Sequence, residues 1–223
     1  MVVFPLILLL VLFLLNIPVA FCLMVSALAY FVLYPTGMPA AMAVQRMISG
    51  AESFPMLAIP FFILSGTIMT YSGIASRLMS FCECLTGHMA GGLGQVNVLN
   101  SVLMGGVSGS SNADAAMDAK MLVPEMMKRG YSKGFSAAVT AASACATPII
   151  PPGITLILYG FMAEVSISKM FIAGYVPGFL MAGALMVVVT IVSKKKGYLP
   201  VRDKMASPGE IWREFLKSIW ALF

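Results

Sequence analysis

The residues of this chain best suited to chemistry are gathered in one stretch, Gly105-Gly106-Val107-Ser108-Gly109-Ser110-Ser111-Asn112-Ala113-Asp114. Hydroxyl, amide and carboxylate oxygens alternate there with glycines, which let a chain turn tightly and bring backbone oxygens close together. Hard oxygen donors of this kind suit a small alkali cation such as sodium, and Ser108, Ser110 and Asn112 are the side chains expected to supply them. Ser111-x-x-Asp114 is also a capping-box pattern, with Ser111 as N-cap and Asp114 at the positive end of the following helix. Capping accounts for those two residues. It does not account for three serines, an asparagine and three glycines interrupting an apolar segment, where every unsatisfied polar group is costly. Asp118, one turn beyond Asp114, reads as a hydrogen-bonding residue rather than a direct ligand.

A second unusual stretch is Thr147-Pro148-Ile149-Ile150-Pro151-Pro152-Gly153. It follows a helical segment, 134–146, dense in small residues (Ala137, Ala138, Ala141, Ala142, Ser143, Ala144) that permit close helix approach. Three prolines cannot sit in a regular helix, so the chain unwinds there before a second half-helix over 154–162. A plain proline kink is the simpler alternative.

The elements that position these stretches follow from the solvent. With 60% apolar and 10% charged residues, the chain has too little polar surface to coat a water-soluble globule. A bilayer span needs roughly 20 mostly apolar residues. Runs such as 6–15 and 181–192 are apolar on every side, which suits helices and excludes barrel strands, whose residues alternate. Segment 91–104 is short and glycine-rich for a span, and 115–127 ends at Lys128-Arg129-Gly130. Two short helices meeting at a polar tip make a re-entrant hairpin, tolerated at membrane depth only where protein or a water-filled cavity satisfies the backbone. Helix ends meeting there present carbonyls to a cation and amides to an anion.

Elsewhere, 1–34 is broken at Asn16-Ile17-Pro18, which fits a tight turn between two spans and also fits one long kinked helix. It has no charged leader or cleavage site and reads as retained. Segment 35–53 is a connector with an interfacial helix, 55–71 a span, and 74–87 an interfacial helix. The single histidine, His88, is read as a loop residue and not a proton relay. Segment 171–193 is a span stopped by Lys194-Lys195-Lys196, which marks a cytoplasmic end. Lys128, Arg129 and Lys133 then also lie inside, the hairpin enters from the cytoplasm, and two early spans leave the amino terminus outside. From Ser207 an amphipathic helix begins, with Pro208 at N1 and Glu210 completing a capping box. The domain reading is therefore 1–73 (N-terminal helices and connector), 74–90 (interfacial helix), 91–130 (hairpin), 131–196 (broken helix and span) and 197–223 (linker helix). The net charge of +5 sits in short clusters beside apolar runs, a topology signal that gives no sign of nucleic-acid binding. Cys22, Cys82, Cys84 and Cys145 are read as reduced and structural, since one Cys-x-Cys pair is a poor metal signature.

Gly106-Val107-Ser108-Gly109-Ser110-Ser111-Asn112-Ala113-Asp114 together with Pro148-Ile149-Ile150-Pro151-Pro152 resembles the large membrane subunit of tripartite ATP-independent periplasmic (TRAP) transporters. Glu52-Ser53-Phe54-Pro55-Met56-Leu57-Ala58-Ile59-Pro60-Phe61-Phe62 and Gly87-His88-Met89-Ala90-Gly91-Gly92-Leu93 add to the likeness, which spans essentially the whole chain. It implies an all-α polytopic membrane protein of the ion-transporter type, with inverted repeats that each hold a re-entrant hairpin and a discontinuous helix. One repeat is present, so the chain is read as an N-terminal half. It further implies sodium-driven elevator uptake of an organic acid (dicarboxylate, sugar acid or sialic acid) across the bacterial inner membrane. The implied partners are a small four-helix membrane subunit, a periplasmic substrate-binding protein and the lipid bilayer. The first sodium site and one wall of the substrate site would then comprise Ser108, Gly109, Ser110, Ser111, Asn112, Asp114, Thr147, Pro148, Pro151, Pro152 and Gly153. The coupling ion is Na+, and no organic cofactor is implied. A sodium/carboxylate carrier independent of a binding protein, a structural subunit and an intramembrane enzyme using Asp114 and Asp118 are the rival readings. The last lacks an acid–base pair on separate helices, a metal cluster and a serine–histidine pair, so the chain is expected not to be an enzyme.

Overall fold

The computed structural model describes residues 3–33, 39, 41–52, 57, 60, 61, 63–65, 67, 68 and 72–222, and these are all-helical, with no strand among them. The helices run α1 (Val3–Leu14), α2 (Val19–Leu33), α3 (Ala41–Ala51), α4 (Ile74–Thr86), α5 (Gly92–Gly105), α6 (Ser111–Lys128), α7 (Lys133–Ala144), α8 (Ile154–Met162), α9 (Ile167–Lys196) and α10 (Pro208–Leu222). Most of the span expected over 55–71, and part of the 35–53 connector, lie outside the described residues; those described between 57 and 68 are helical. The chain divides into two units, 1–56 and 57–223.

In the first unit α1 packs on α2, and α3 touches α2. Asn16 adopts left-handed backbone at φ 59°, and the Ile17 N–H bonds Leu12 O at 3.3 Å. The Asn16-Ile17-Pro18 break is therefore a turn between two packed helices. Leu6, Leu10, Leu14, Phe21, Leu23 and Val32 stand exposed on this pair.

The second unit is organised around α5. Twelve of its residues, from Gly92 through Gly105, are buried, and it packs on α4, α6, α7 and α9. Gln95, Asn97, Asn100 and Ser101 are fully inaccessible within it. Helix α9, 30 residues long, is the one described helix both long and apolar enough to cross a bilayer. At 1.5 Å per residue it spans roughly 45 Å. Gly174, Gly178, Ala182, Val189 and Ser193 form its buried stripe, while Ile172, Val176, Phe179, Leu180, Val187, Val188 and Ile191 face outward. So large an exposed apolar surface is stable against lipid rather than water. The small residues are there for contact: a Cβ on Gly174 would meet Ile149 O at 2.5 Å, and one on Gly178 would meet Ile150 Cγ1 at 2.6 Å.

The ends of these helices converge at one place. Gly91 (φ 73°) lies so close to α9 that a Cβ there would fall 2.7 Å from Ser193 Cβ, and one on Gly92 would lie 2.6 Å from Val201 N. The Gly87 carbonyl accepts from Val201 N at 2.8 Å and Arg202 N at 3.2 Å. Tyr131, in the α6–α7 turn, stacks on Tyr198 with ring centroids 4.3 Å apart. The two basic clusters, Lys128/Arg129/Lys133 and Lys194–Lys196, thus belong to the same end of the unit, as the topology reading requires. Helix α9 stops where expected, with Gly197 left-handed at φ 70°, but it starts at Ile167 and not near 171, because the Ser166 hydroxyl caps it by accepting from Lys169 N at 3.4 Å.

Helix α10 lies against α4. Phe215 meets Phe81 with centroids 5.8 Å apart, Ser218 Oγ donates to Arg77 O at 3.1 Å, and Ser207 caps as expected by accepting from Glu210 N at 3.3 Å. Arg202 Nη2 donates to Glu210 Oε1 at 2.7 Å, and this bond holds the Glu210 carboxyl below its ordinary range. A lowered carboxyl stabilises the docked helix above its unfolded value and loses that contribution as pH falls through the folded value. We expect hydrogen-exchange protection of α10 to decline on acidification below the usual carboxylate range in the wild type, and Glu210→Gln to remove that pH dependence.

Candidate functional site

At the opposite end of α5 the chain leaves the helix at Gly105. Gly106 N bonds Leu103 O at 3.2 Å and Ser108 N bonds Met104 O at 2.8 Å, tightening the last turn. Gly109 follows at φ 58°, and Ser110 opens α6. The structure corrects the expected cap. The N-cap is Ser110, whose hydroxyl accepts from Ala113 N at 3.5 Å, and not Ser111, so α6 begins at Ser111 rather than at 115. The reason lies in Asp114. Instead of turning back to the helix start, its carboxylate accepts from Ser108 Oγ at 2.6 Å, and that bond fixes the register of the first turn.

The second stretch is built as the prolines dictate. Helix α7, capped by the Ser132 hydroxyl accepting from Phe135 N at 3.3 Å, ends at Ala144, two residues earlier than expected. Turns carry the chain through 145–150, and α8 starts at Ile154. The Pro151–Pro152 peptide is cis. Among the described residues, the carbonyls of Thr147, Pro148, Pro151 and Pro152 receive no backbone N–H.

These two stretches meet. A Cβ on Gly109 would lie 3.0 Å from Pro152 O and 3.1 Å from Ile154 N; one on Gly105 would lie 3.1 Å from Thr147 O. Gly106 faces Pro151 O at 3.7 Å by the same measure, and Gly153 is held against Pro148 O. The C-terminal ends of α5 and α7 and the N-terminal starts of α6 and α8 therefore share one locality, presenting both carbonyls and amides.

Asp114 is 1% exposed, and its second oxygen, Oδ2, has no hydrogen-bond partner among the described residues. Thr147, across the junction, donates its hydroxyl to Ser101 O at 3.3 Å and lies near enough to the Asp114 carboxylate to act on it without bonding Oδ2. A cavity of about 260 Å³ opens beside the carboxylate, lined by Thr67, Ser108, Ser110 and Asp114 with Ile63 and Met117. That is room for an ion with several waters.

Of the expected site residues, Ser108, Gly109, Ser110, Asp114, Thr147, Pro148, Pro151, Pro152 and Gly153 come together at this junction. Ser111 is half-buried at the start of α6 and Asn112 is exposed on its first turn, and neither is among the residues lining the cavity. Thr67 joins the cavity without having been anticipated. The larger omission is a buried polar seam behind the tip. Asn97 Nδ2 donates to Thr140 Oγ1 at 2.6 Å, Asn100 Nδ2 to Asp118 Oδ1 at 2.8 Å, and Gln95 Nε2 to Met186 O and Thr190 Oγ1 at 2.9 and 2.8 Å. Ser101 links Asp118 to Ser143. Amides inside an apolar helix are themselves a signal, because polar groups at membrane depth pair with one another or mark function.

The chain matches, over residues 6–223, the family described as "Tripartite ATP-independent periplasmic transporter, DctM component". It is 37% identical over 213 residues to the sialic acid TRAP transporter permease protein SiaT of Haemophilus influenzae, covering 96% of this chain and 34% of that protein. Over 179 residues it is 41% identical to the 2,3-diketo-L-gulonate TRAP transporter large permease protein YiaN of Escherichia coli (80% of this chain, 42% of that one). Over 181 residues it is 36% identical to the C4-dicarboxylate TRAP transporter large permease protein DctM of Pseudomonas aeruginosa (79% and 41%). The chain thus spans about a third to a half of the length of these relatives.

Proposed function

Since this chain belongs to the DctM family of tripartite ATP-independent periplasmic transporters, we propose that it forms the N-terminal half of a sodium-coupled subunit for organic-acid uptake, multi-pass in the bacterial inner membrane. In this reading α5 and α6 are a re-entrant hairpin, α7 and α8 the two parts of a discontinuous helix, and the unit is one of two inverted repeats that move as an elevator. A periplasmic binding protein delivers the acid, and a small four-helix membrane subunit completes the complex. The acids printed in the relatives' names, sialic acid, 2,3-diketo-L-gulonate and C4-dicarboxylates, indicate the substrate class.

The observation that carries the reading is the packing of the hairpin tip on the proline break beside a buried carboxylate with one oxygen unpartnered. Such a carboxylate is costly alone and gains most from a bound cation. The carbonyls of Thr147, Pro148, Pro151 and Pro152, with the Ser108 and Ser110 hydroxyls, supply uncharged oxygens nearby. The α6 and α8 N-termini favour an anion, so one junction serves both the coupling ion and the substrate carboxylate. Sodium neutralises Asp114, lets the tip rest on the break, and so forms one wall of the acid site.

The test is uptake of labelled sialic acid, diketogulonate and succinate by the full-length transporter in proteoliposomes, with its small subunit and binding protein present. Accumulation is expected under an inward sodium gradient and not under potassium. Uptake indifferent to sodium would sink the coupling, and uptake without the binding protein would favour a stand-alone carboxylate carrier.

A further inference from the structure

An organic acid brings negative charge to the junction, and the cations that could meet it are few. Between residues 91 and 127, and again between 134 and 163, the only basic side chain is Lys120 of α6. It is exposed and forms no ion pair among the described residues, whereas Lys128 and Arg129, two turns further on, both meet Glu125, at 3.8 and 3.3 Å. Lys120 answers neither aspartate of its own helix. Asp118 is two residues away, which on a helix is the far side, and it faces α5 through Asn100 and Ser101. Asp114 belongs to the same buried stripe as Asp118, Leu122 and Met126.

Its position on α6 ties Lys120 to the cavity instead. Ala113 and Met117 line that cavity together with Asp114, and residues 113, 117 and 120 follow one another at i, i+4 and i+7, one face of a helix. Lys120 is the next residue along the lining face, about 4.5 Å beyond Met117 on the helix axis. The Cα–Cβ bonds of an α-helix tilt toward its N-terminus, and the N-terminus of α6 is the hairpin tip. A four-carbon stem leaning that way carries the ammonium back toward the mouth of the cavity. The same lean argues against a lysine that merely reaches for water: Lys128, at the basic end of the unit, lies about 12 Å along the axis in the other direction, so snorkelling there would run against the stem. Lipid is an equally poor neighbour. Ala113, Ala116 and Ala119 stand exposed around Lys120, where the outward face of α9 carries Ile172, Phe179 and Leu180.

We infer that Lys120 is the cation that receives a carboxylate of the transported acid at the mouth of the cavity beside Asp114. This rests on the organic-acid reading above and adds a division of labour to it. The coupling ion answers the fixed charge of Asp114, and the acid answers the fixed charge of Lys120. One helix then holds both ligands, six residues apart.

Amine footprinting of the intact transport complex in lipid, with an acetylating reagent and mass-spectrometric readout, tests the assignment on the wild type. The probe is whichever of sialic acid, diketogulonate and succinate the complex accumulates. Lys120 is expected to be modified in sodium alone and protected severalfold when the acid is added at saturation, while Lys128 and Lys133 are modified equally with and without it. In proteoliposomes Lys120→Gln should lower uptake at least about tenfold and Lys120→Arg by less than about threefold, the scale of one charge-assisted hydrogen bond lost or kept. Both variants should keep the sodium-induced rise in melting temperature. A Lys120 that is unreactive without acid lies beneath another part of the complex, and one modified regardless of acid faces lipid or water. Either result overturns the inference, as does wild-type uptake by Lys120→Gln. A Lys120→Gln complex that melts lower in sodium than wild type does so too, by assigning Lys120 to an ion pair within the protein. If the wild type accumulates none of the three acids, the substrate reading fails and takes this assignment with it; if it accumulates one without sodium and the acid protects Lys120, the coupling alone fails and the assignment stands.

Discussion

Asp114→Asn is expected to lower sodium-dependent uptake by about a hundredfold or more while leaving the complex folded. The substitution keeps the shape and an acceptor for Ser108 Oγ, which donates to the carboxylate at 2.6 Å, and removes the charge a cation would neutralise. Breaking a buried ion pair by deleting one partner costs about 3 kcal/mol or more, equivalent to about two decades in affinity. Stability should move the other way. Without sodium, the wild type holds an uncompensated buried carboxylate and the variant does not, so Asp114→Asn should melt no lower than wild type. It should also lose the rise in melting temperature that sodium gives wild type, because a ligand stabilises a fold only through its own binding. A thermal-shift series across sodium concentrations, with potassium as control, reads both effects. Retention of the sodium-induced shift in Asp114→Asn would remove Asp114 from the site.

Gly109→Val should be nearly as severe, for a steric reason. Gly109 is left-handed at φ 58°, and any Cβ there sits 3.0 Å from Pro152 O and 3.3 Å from Gly153 Cα, against backbone that has no rotamer with which to yield. The left-handed conformation alone costs a β-branched residue roughly 1–2 kcal/mol. Relief comes by lifting the tip off the break, and a displacement of even about 1 Å at a positioned site lowers rates by roughly a hundredfold. Uptake is expected to fall at least about tenfold with the protein still expressed and folded. Gly134→Ala, at a position with nothing within 4 Å of the added carbon, is the matched control and should transport normally.

The parts of the site that could be read from the chain are those governed by local rules. Single prolines at 124 and 177 are carried inside helices, but the cluster at 148, 151 and 152 breaks the hydrogen-bond ladder repeatedly, and the stretch did unwind. Serines ahead of Asp114 announced a helix start, but Ser110 and Ser111 are equally good caps, and the choice between them depended on the bond from Ser108 to Asp114, six residues apart. The seam through Gln95, Asn97 and Asn100 was not legible, because its partners lie 91, 43 and 18 residues away and nothing in the spacing of α5 names them. The convergence of tip and break belongs to the same category: two stretches forty residues apart each suggested chemistry, and only the packing of Gly105 and Gly109 on 147–154 shows that they share it.

The placement of α10 decides what an optical experiment on this protein would see. Its two tryptophans, Trp212 and Trp220, both belong to that helix, and the Trp212 ring is exposed and stacks on Phe215, which in turn meets Phe81 of α4. Tryptophan emission from this chain therefore arises within α10, and through Trp212 it gauges the α4–α10 pair. Leu78 of α4 packs on Met104 and Val107 beside the hairpin tip, and its neighbour Arg77 accepts from Ser218 of α10, so a spectral change on adding sodium would report how far the ion's arrival is felt through α4.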